Sequence, residues 1–247
     1  MSGTDGPILA ELAGATVVVL GGSSGMGLAT ARAAAAAGAT VAIAARDPGR
    51  LAAGQAALPA GSAAFALDAS DTDAVAAMFA ELGPVDHVAC FTGDQPAAAI
   101  ADTGHDLMVR SIDARVWAAR NACVAAAPTM RPGGSFTFCS GLSALRPRAG
   151  RSAGAISTAA LESFGRAMAV ELAPIRVNTV CPGAFDTPVL DRAFGDAKTD
   201  ALRPYVDRLL VRRLGHPDEL AHAVLFLMTN TYVTGTVLHV DGGALLT

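Results

Sequence analysis

Gly21-Gly22-Ser23-Ser24-Gly25-Met26-Gly27 is the segment of this 247-residue chain best suited to hold phosphate. Glycines let a backbone turn tightly and come close to a ligand. If a helix follows, its first N–H groups have no helical partner and carry a partial positive charge, which suits a pyrophosphate. Ser23 and Ser24 add hydroxyl donors. The plainer alternative is a glycine-rich turn that holds nothing. A second cue lies about twenty residues further on, where dinucleotide folds read the adenosine ribose. An acidic residue there accepts from the ribose 2′-OH of NAD. Here the segment ends Ala44-Ala45-Arg46, and the first carboxylate is Asp47. A guanidinium suits a 2′-phosphate through charge-assisted hydrogen bonds, so NADP(H) is favoured over NAD(H). The competing reading leaves Arg46 in solvent and gives the ribose to Asp47.

These residues need a strand before the turn and a helix after it. Thr16–Leu20 is a short apolar run rich in β-branched residues, the pattern of a buried parallel strand. Leu28–Ala37 is Ala-rich and prone to helix. Further strands are expected at 40–45, 64–68, 86–93, 134–141, 175–183 and 233–243, alternating with helical stretches. That alternation predicts an α/β fold, a Rossmann-type doubly wound parallel sheet of about seven strands in a single domain spanning 1–247. Apolar residues make up 52% of the chain and charged residues only 16%, against about 25% in an ordinary soluble protein, which implies a thick, well-covered core.

Other classes are disfavoured. A net charge of −4 gives no reason to expect nucleic acid. The uncharged run 13–31 is broken by glycines and serines, so no membrane span is expected. Residues 1–15 carry Asp5 and Glu11 and lack the basic-then-apolar order of a signal peptide. The four cysteines fall in expected core elements, which points to reduced thiols and a cytoplasmic setting. The five histidines show no metal spacing, and no metal site is expected.

The glycine spacing resembles the Thr-Gly-x-x-x-Gly-x-Gly motif of the short-chain dehydrogenase/reductases, with Gly21, Gly25 and Gly27 in register and Leu20 at the Thr position. The resemblance runs over nearly the whole chain. It places Asp68 and Ala69 beside the adenine, with an N-cap as the alternative role of Asp68. It aligns Asp86–Gly93 with Asp-x-Leu-Val-Asn-Asn-Ala-Gly, so that Phe91, Thr92 and Gly93 line the cofactor groove and Phe91 implies a re-packed wall. Pro182 and Gly183 match the Pro-Gly turn after the sixth strand, and Thr187 falls where a hydroxyl meets the nicotinamide carboxamide or the pyrophosphate. Val233–Gly243 matches the family's Thr-Gly-x-x-x-x-Val-Asp-Gly-Gly ending.

The same resemblance exposes a mismatch. The family's acid–base set is an Asn, a Ser and a Tyr-x-x-x-Lys pair. Here Gly141 stands at the Ser position, Gly154 at the Tyr, Thr158 at the Lys and Arg115 at the Asn. The resemblance thus implies an NADP(H)-dependent oxidoreductase of a small carbonyl, imine or alcohol, with an unconventional proton donor. A redox-neutral enzyme and a non-catalytic NADP(H)-binding sensor or subunit are the alternatives. Candidate catalytic groups are Ser140, Arg115 and Tyr205. Ser140 adjoins the usual position but is expected to face the opposite side of the sheet, and Tyr205 lies in the lid segment, about residues 188–213, where plain packing is its alternative role. Arg146, Arg148 and Arg151 follow Gly141 and either bind an anionic substrate or form a solvated loop. The Ala-rich helices near 114–127 and 153–173 correspond to the family's subunit contacts, so a homo-oligomer, a tetramer or a dimer, is expected.

Overall fold

The computed structural model describes residues 12–93 and 97–247; the N-terminal charges that argue against a signal peptide, Asp5 and Glu11, lie outside the described residues. The first expected strand forms as β1 (Thr16–Leu20), and its alternation sets the two sides of the core. Val17 and Val19 enter one apolar cluster, Val18 and Leu20 the other. A strand buried on both faces needs apolar residues at successive positions, and β1 has them from Val17 to Leu20.

The helix after the turn starts earlier than propensity alone suggests: α1 spans Gly25–Ala36, so the last two glycines of the motif belong to its first turn. The chain then builds β2 (Thr40–Ala45), α2 (Pro48–Ala56), β3 (Ala63–Ala66), α3 (Thr72–Leu82) and β4 (His87–Cys90). Two acids fix the helix starts. Asp47 caps α2 by accepting from the Arg50 N–H at 2.7 Å, and Asp71 caps α3 by accepting from Asp73 and Ala74. The second half carries α4 (His105–Ile112), a π-helical turn (Asp113–Trp117), α5 (Ala118–Ala126), β5 (Ser135–Cys139), α6 (Ser152–Glu171) and β6 (Arg176–Pro182). The lid segment holds α7 (Pro188–Phe194) and α8 (Lys198–Val206), and the chain closes with α9 (Pro217–Thr229) and β7 (Val237–Val240).

All seven strands are parallel, in the order β3-β2-β1-β4-β5-β6-β7. The chain runs outward from β1 to β3, then returns to lay β4 on the other side of β1. That reversal leaves a crevice at the carboxyl ends of β1 and β4, the place where open α/β sheets bind ligands. The residues of α3, α5 and α6 build the apolar cluster on one face of the sheet, and those of α1, α2 and α9 the cluster on the other. All four cysteines are buried and free. No helix among the described residues is long and apolar enough to cross a membrane, and no cluster of His, Cys, Asp or Glu among them could hold a metal ion.

Candidate active site

The crevice is built by collisions that only glycine avoids. Gly21 has φ +80°, and a Cβ there would stand 2.8 Å from the Phe91 backbone. A Cβ on Gly27 would lie 2.3 Å from the Gly21 carbonyl oxygen, so α1 begins pressed against the turn that feeds it. The Gly21 N–H donates to Ala44 O at 2.8 Å, which ties the turn to the end of β2. Ser24 occupies the N-cap of α1 without capping it through its side chain, and the first helical turn holds no acidic residue. The hydroxyl is thus not spent on the helix, and no carboxylate competes with an incoming anion. Met26 sits in that first turn, and its carbonyl takes the Thr30 hydroxyl at 2.9 Å. Ser23 is braced from behind by α2, where a Cβ on Gly54 would come within 3.0 Å of the Ser23 oxygen.

The adenosine end follows from the ends of β2 and β3. Asp47 is committed to α2, through the Arg50 N–H and an ion pair to the Arg50 side chain at 3.6 Å. Those bonds hold its carboxyl below the usual range, led by the Arg50 N–H. Arg46 is left exposed, 3.9 Å from the Asp68 carboxylate. Asp68 does not cap a helix. Its Oδ1 accepts from the N–H and the hydroxyl of Ser70, at 2.9 and 2.8 Å, and so shapes the loop that carries Ala69. The loop has a second support that sequence reasoning missed. Asn121, buried in α5, donates through its side-chain amide to Ala69 O and Ser70 O at 3.1 Å each, and Thr72 donates to its oxygen at 3.1 Å. A lone amide among alanines of a core-facing helix was the available signal.

Phe91, Thr92 and Gly93 continue β4 along the glycine turn, with the Phe91 N–H bonded to Leu20 O at 2.8 Å. Phe91 is partly buried and packs on the α1 side of the core. Pro182 ends β6, and Gly183 passes so near the C-terminal segment that a Cβ would stand 2.8 Å from Asp241 Cα. Thr187, buried at the start of α7, comes back to α1: a Cβ on Gly25 would touch its side chain at 3.5 Å. The structure therefore brings Gly25, Gly27, Phe91 and Thr187 around one turn, although they come from three separate segments.

The reaction end is different. Gly154 is buried in α6, yet a Cβ there would meet nothing within 4 Å, so the space in front of it is open. Thr158 points back along its own helix, donating to Gly154 O at 2.8 Å. Ser140 is buried and faces α6, where its hydroxyl donates to Glu162 at 2.8 Å; the regular alternation of β5 puts it on that side. Arg115 lies on the π-helical turn, a deformation frequent at functional sites. It is buried, with its guanidinium flat against Gly93: a Cβ on Gly93 would fall 2.4 Å from Nη1. The same charge lies near Cys139, opposing the burial that pushes this thiol up to about 12. Tyr205 is half-buried in α8, with the Arg148 guanidinium 5.3 Å from its ring. Ser140 and Tyr205 thus belong to separate environments, one under α6 and one at the lid. The lid also holds the single lysine of the chain, Lys198, paired with Asp186 and Asp191.

A family described as Enoyl-(Acyl carrier protein) reductase matches residues 21–244, from the first glycine of the turn to the C-terminal segment. The chain belongs to the short-chain dehydrogenase/reductases. The short-chain dehydrogenase/reductase ATR9 of Stachybotrys chlorohalonatus (strain IBT 40285) is 31% identical, over 94% of this chain and 98% of its own. The 3-oxoacyl-(acyl-carrier-protein) reductase of Homo sapiens is 33% identical, over 91% and 95%. A solved structure described as a small-chain dehydrogenase in complex with NADPH superposes with a TM-score of 0.83 at 32% identity, covering 95% of this chain and all of the other. Membership of this dehydrogenase/reductase family fits the nucleotide cradle.

Proposed function

We propose that the chain is an NADP(H)-dependent oxidoreductase acting on a small carbonyl, imine or alcohol, with its proton donor outside the usual tyrosine position. One observation carries the cofactor reading: Asp47 is consumed as the cap of α2 while its neighbour Arg46 stays exposed at the end of β2. A carboxylate already accepting backbone and guanidinium protons is a poor partner for a ribose hydroxyl. An exposed guanidinium is a good one for a 2′-phosphate. The exposed Arg46–Asp68 pair adds little stability, so a phosphate displaces it at small cost. The NADPH in the similar solved structure supports the same choice.

Bound here, NADP(H) would supply or accept a hydride. The chain's own groups do the rest. Backbone N–H groups of Gly25, Met26 and Gly27 face the pyrophosphate, with Ser23 and Ser24 beside them. Asp68 and Ala69 flank the adenine, Phe91, Thr92 and Gly93 wall the groove, and Pro182, Gly183 and Thr187 bound the nicotinamide end. Arg115 offers positive charge for a substrate oxygen but no proton, because a guanidinium does not deprotonate in proteins. Ser140 donates to Glu162 and serves as a brace for α6. Tyr205 is the candidate that can release a proton.

Calorimetric titration with NADPH and NADH tests the cofactor. Arg46→Ala is expected to weaken NADPH by about tenfold while leaving NADH unchanged. Equal loss for both would remove the 2′-phosphate contact, and no binding of either would remove the oxidoreductase reading. With a reducible carbonyl in hand, Tyr205→Phe should lower turnover by about 10²-fold or more, the usual size of a lost general acid. Unchanged turnover would return Tyr205 to a packing role. A homo-oligomer is part of the proposal: Trp117 and Val124, and Ile156 and Val170 of α6, are exposed apolar side chains on the helices expected to meet a second copy. Buried free cysteines support a reducing, cytoplasmic setting.

A further inference from the structure

We propose that the substrate is a small carboxylic acid, and that its carboxylate is held between Arg148 and Arg208 in a cavity under the lid; this rests on the oxidoreductase reading and narrows its substrate class. The cavity measures about 130 Å³ and is lined by Arg146, Pro147, Arg148, Tyr205, Arg208 and Leu209, among others. Most of its wall comes from two segments, and Thr247 of the C-terminal segment completes it. Arg146 and Arg148 follow Gly141 beyond the end of β5, and Tyr205 and Arg208 lie in and just after α8, beyond the end of β6. Because the sheet is parallel, both segments hang from the edge that carries the glycine turn.

The charge arrangement is what points to an anion. No Asp or Glu lines the cavity; the one carboxylate on its wall is that of the last residue, Thr247, and none of the three arginines forms an ion pair among the described residues. The protein does not lack carboxylates, which outnumber its cations 22 to 18. Elsewhere arginines do pair with them: Arg131 meets Asp86 and Arg213 meets Glu219, both at 2.6 Å. Three guanidinium groups against one terminal carboxylate leave the cavity wall with excess positive charge, and a bound anion offsets it. The donors are also held in place. Arg146 donates to Ala244 O, and Arg148 is stacked over Tyr205. A guanidinium positioned in advance loses little freedom when it grips a carboxylate at two points.

Size and lining choose the kind of anion. Pockets for drug-sized ligands hold roughly 300–1,000 Å³, so this cavity takes the end of a molecule and not a nucleotide. Tyr205, Pro147 and Leu209 supply apolar wall beside the charges, which suits the carbons next to a carboxylate better than it suits free phosphate.

The test is binding of short 2-oxo and 3-oxo carboxylic acids, their methyl esters and inorganic phosphate to the NADPH-saturated protein, read by calorimetry, with NADPH titrated separately. Acids are expected to bind at least about tenfold tighter than their esters, and the double variant Arg148→Gln/Arg208→Gln to lose that preference while binding NADPH as before. Esters that bind as well as acids, acids that do not bind, or a preference that survives the double variant would each overturn the carboxylate site. Binding of phosphate but of no acid would overturn it in favour of a phosphorylated ligand. Since NADPH is measured on its own, loss of the carboxylate site with NADPH binding intact leaves the oxidoreductase reading standing. Failure of NADPH to bind removes that reading by itself.

Discussion

Gly27 and Gly154 are both buried glycines near the start of a helix, and they are glycine for opposite reasons. At Gly27 a single added carbon would sit 2.3 Å from a carbonyl oxygen. At Gly154 the same carbon would meet nothing within 4 Å. Around the glycine turn the backbone has no slack, so residue type is dictated by geometry. At Gly154 the geometry leaves room for at least a methyl group, so no steric contact requires glycine there. The turn between β1 and α1 is thus tightly constrained, while the start of α6 has open space.

The largest expected effect breaks the first half of that contrast. Gly27→Ala should destabilise the protein by about 1–3 kcal/mol, the usual cost of forcing an atom into a packed site. It should also weaken NADPH roughly a hundredfold, since the displaced turn loses charge-assisted bonds to phosphate. Chemical denaturation and calorimetry check both, and normal NADPH affinity in a folded variant would mean the turn is not the cradle.

The next effect asks whether both halves share one rigid platform. His87 begins β4 beneath the crevice, and its Nδ1 lies 2.9 Å from the Ser135 hydroxyl. Burial, helped by the nearby Arg176 charge and opposed by Asp86, pushes its pKa down to about 4 from 6.5. A depressed folded-state value means the unfolded chain binds the proton more readily. The neutral ring's contribution is therefore complete above about pH 6.5 and is lost as pH falls toward 4. Urea unfolding at pH 7 and near pH 4 should differ by about 2–3 kcal/mol from this group, and His87→Gln should flatten that dependence. A profile unchanged by the substitution would show that other groups set the acid limit.

The smallest effect tests the other half. Gly154→Ala should leave the fold intact and stabilise it by up to about 1 kcal/mol, because alanine replaces glycine in a helix with room for its methyl group. A thermal melt resolves this. Destabilisation comparable to Gly27→Ala would erase the contrast between the two regions.

The fold was largely legible in the chain because its signals are local and repeated. Short β-branched runs, Ala-rich stretches and glycine turns recur in the order that a doubly wound sheet needs, and the strand positions agree to within a few residues at their ends. The glycine turn was legible for the same reason, since Gly21, Gly25 and Gly27 fall within one short stretch of sequence. Other features depended on partners distant in sequence. Asn121 reaches the Ala69 loop from α5, Thr187 meets Gly25 across the crevice, and Asp47 turns from a possible ribose ligand into a helix cap.

The sequence by itself determined which residue types are present: a glycine-rich turn between β1 and α1, an arginine just after β2, and no tyrosine or lysine in α6. Those are facts of residue type, and no folding changes them. Only the tertiary structure decided which side chains are free to act. It withdrew Ser140 by bonding it to Glu162, laid Arg115 against Gly93, and gathered Arg146, Arg148, Tyr205 and Arg208 around one cavity. A side chain's direction and its hydrogen-bond partners are set by packing between segments far apart in the chain, and residue type alone does not carry that information.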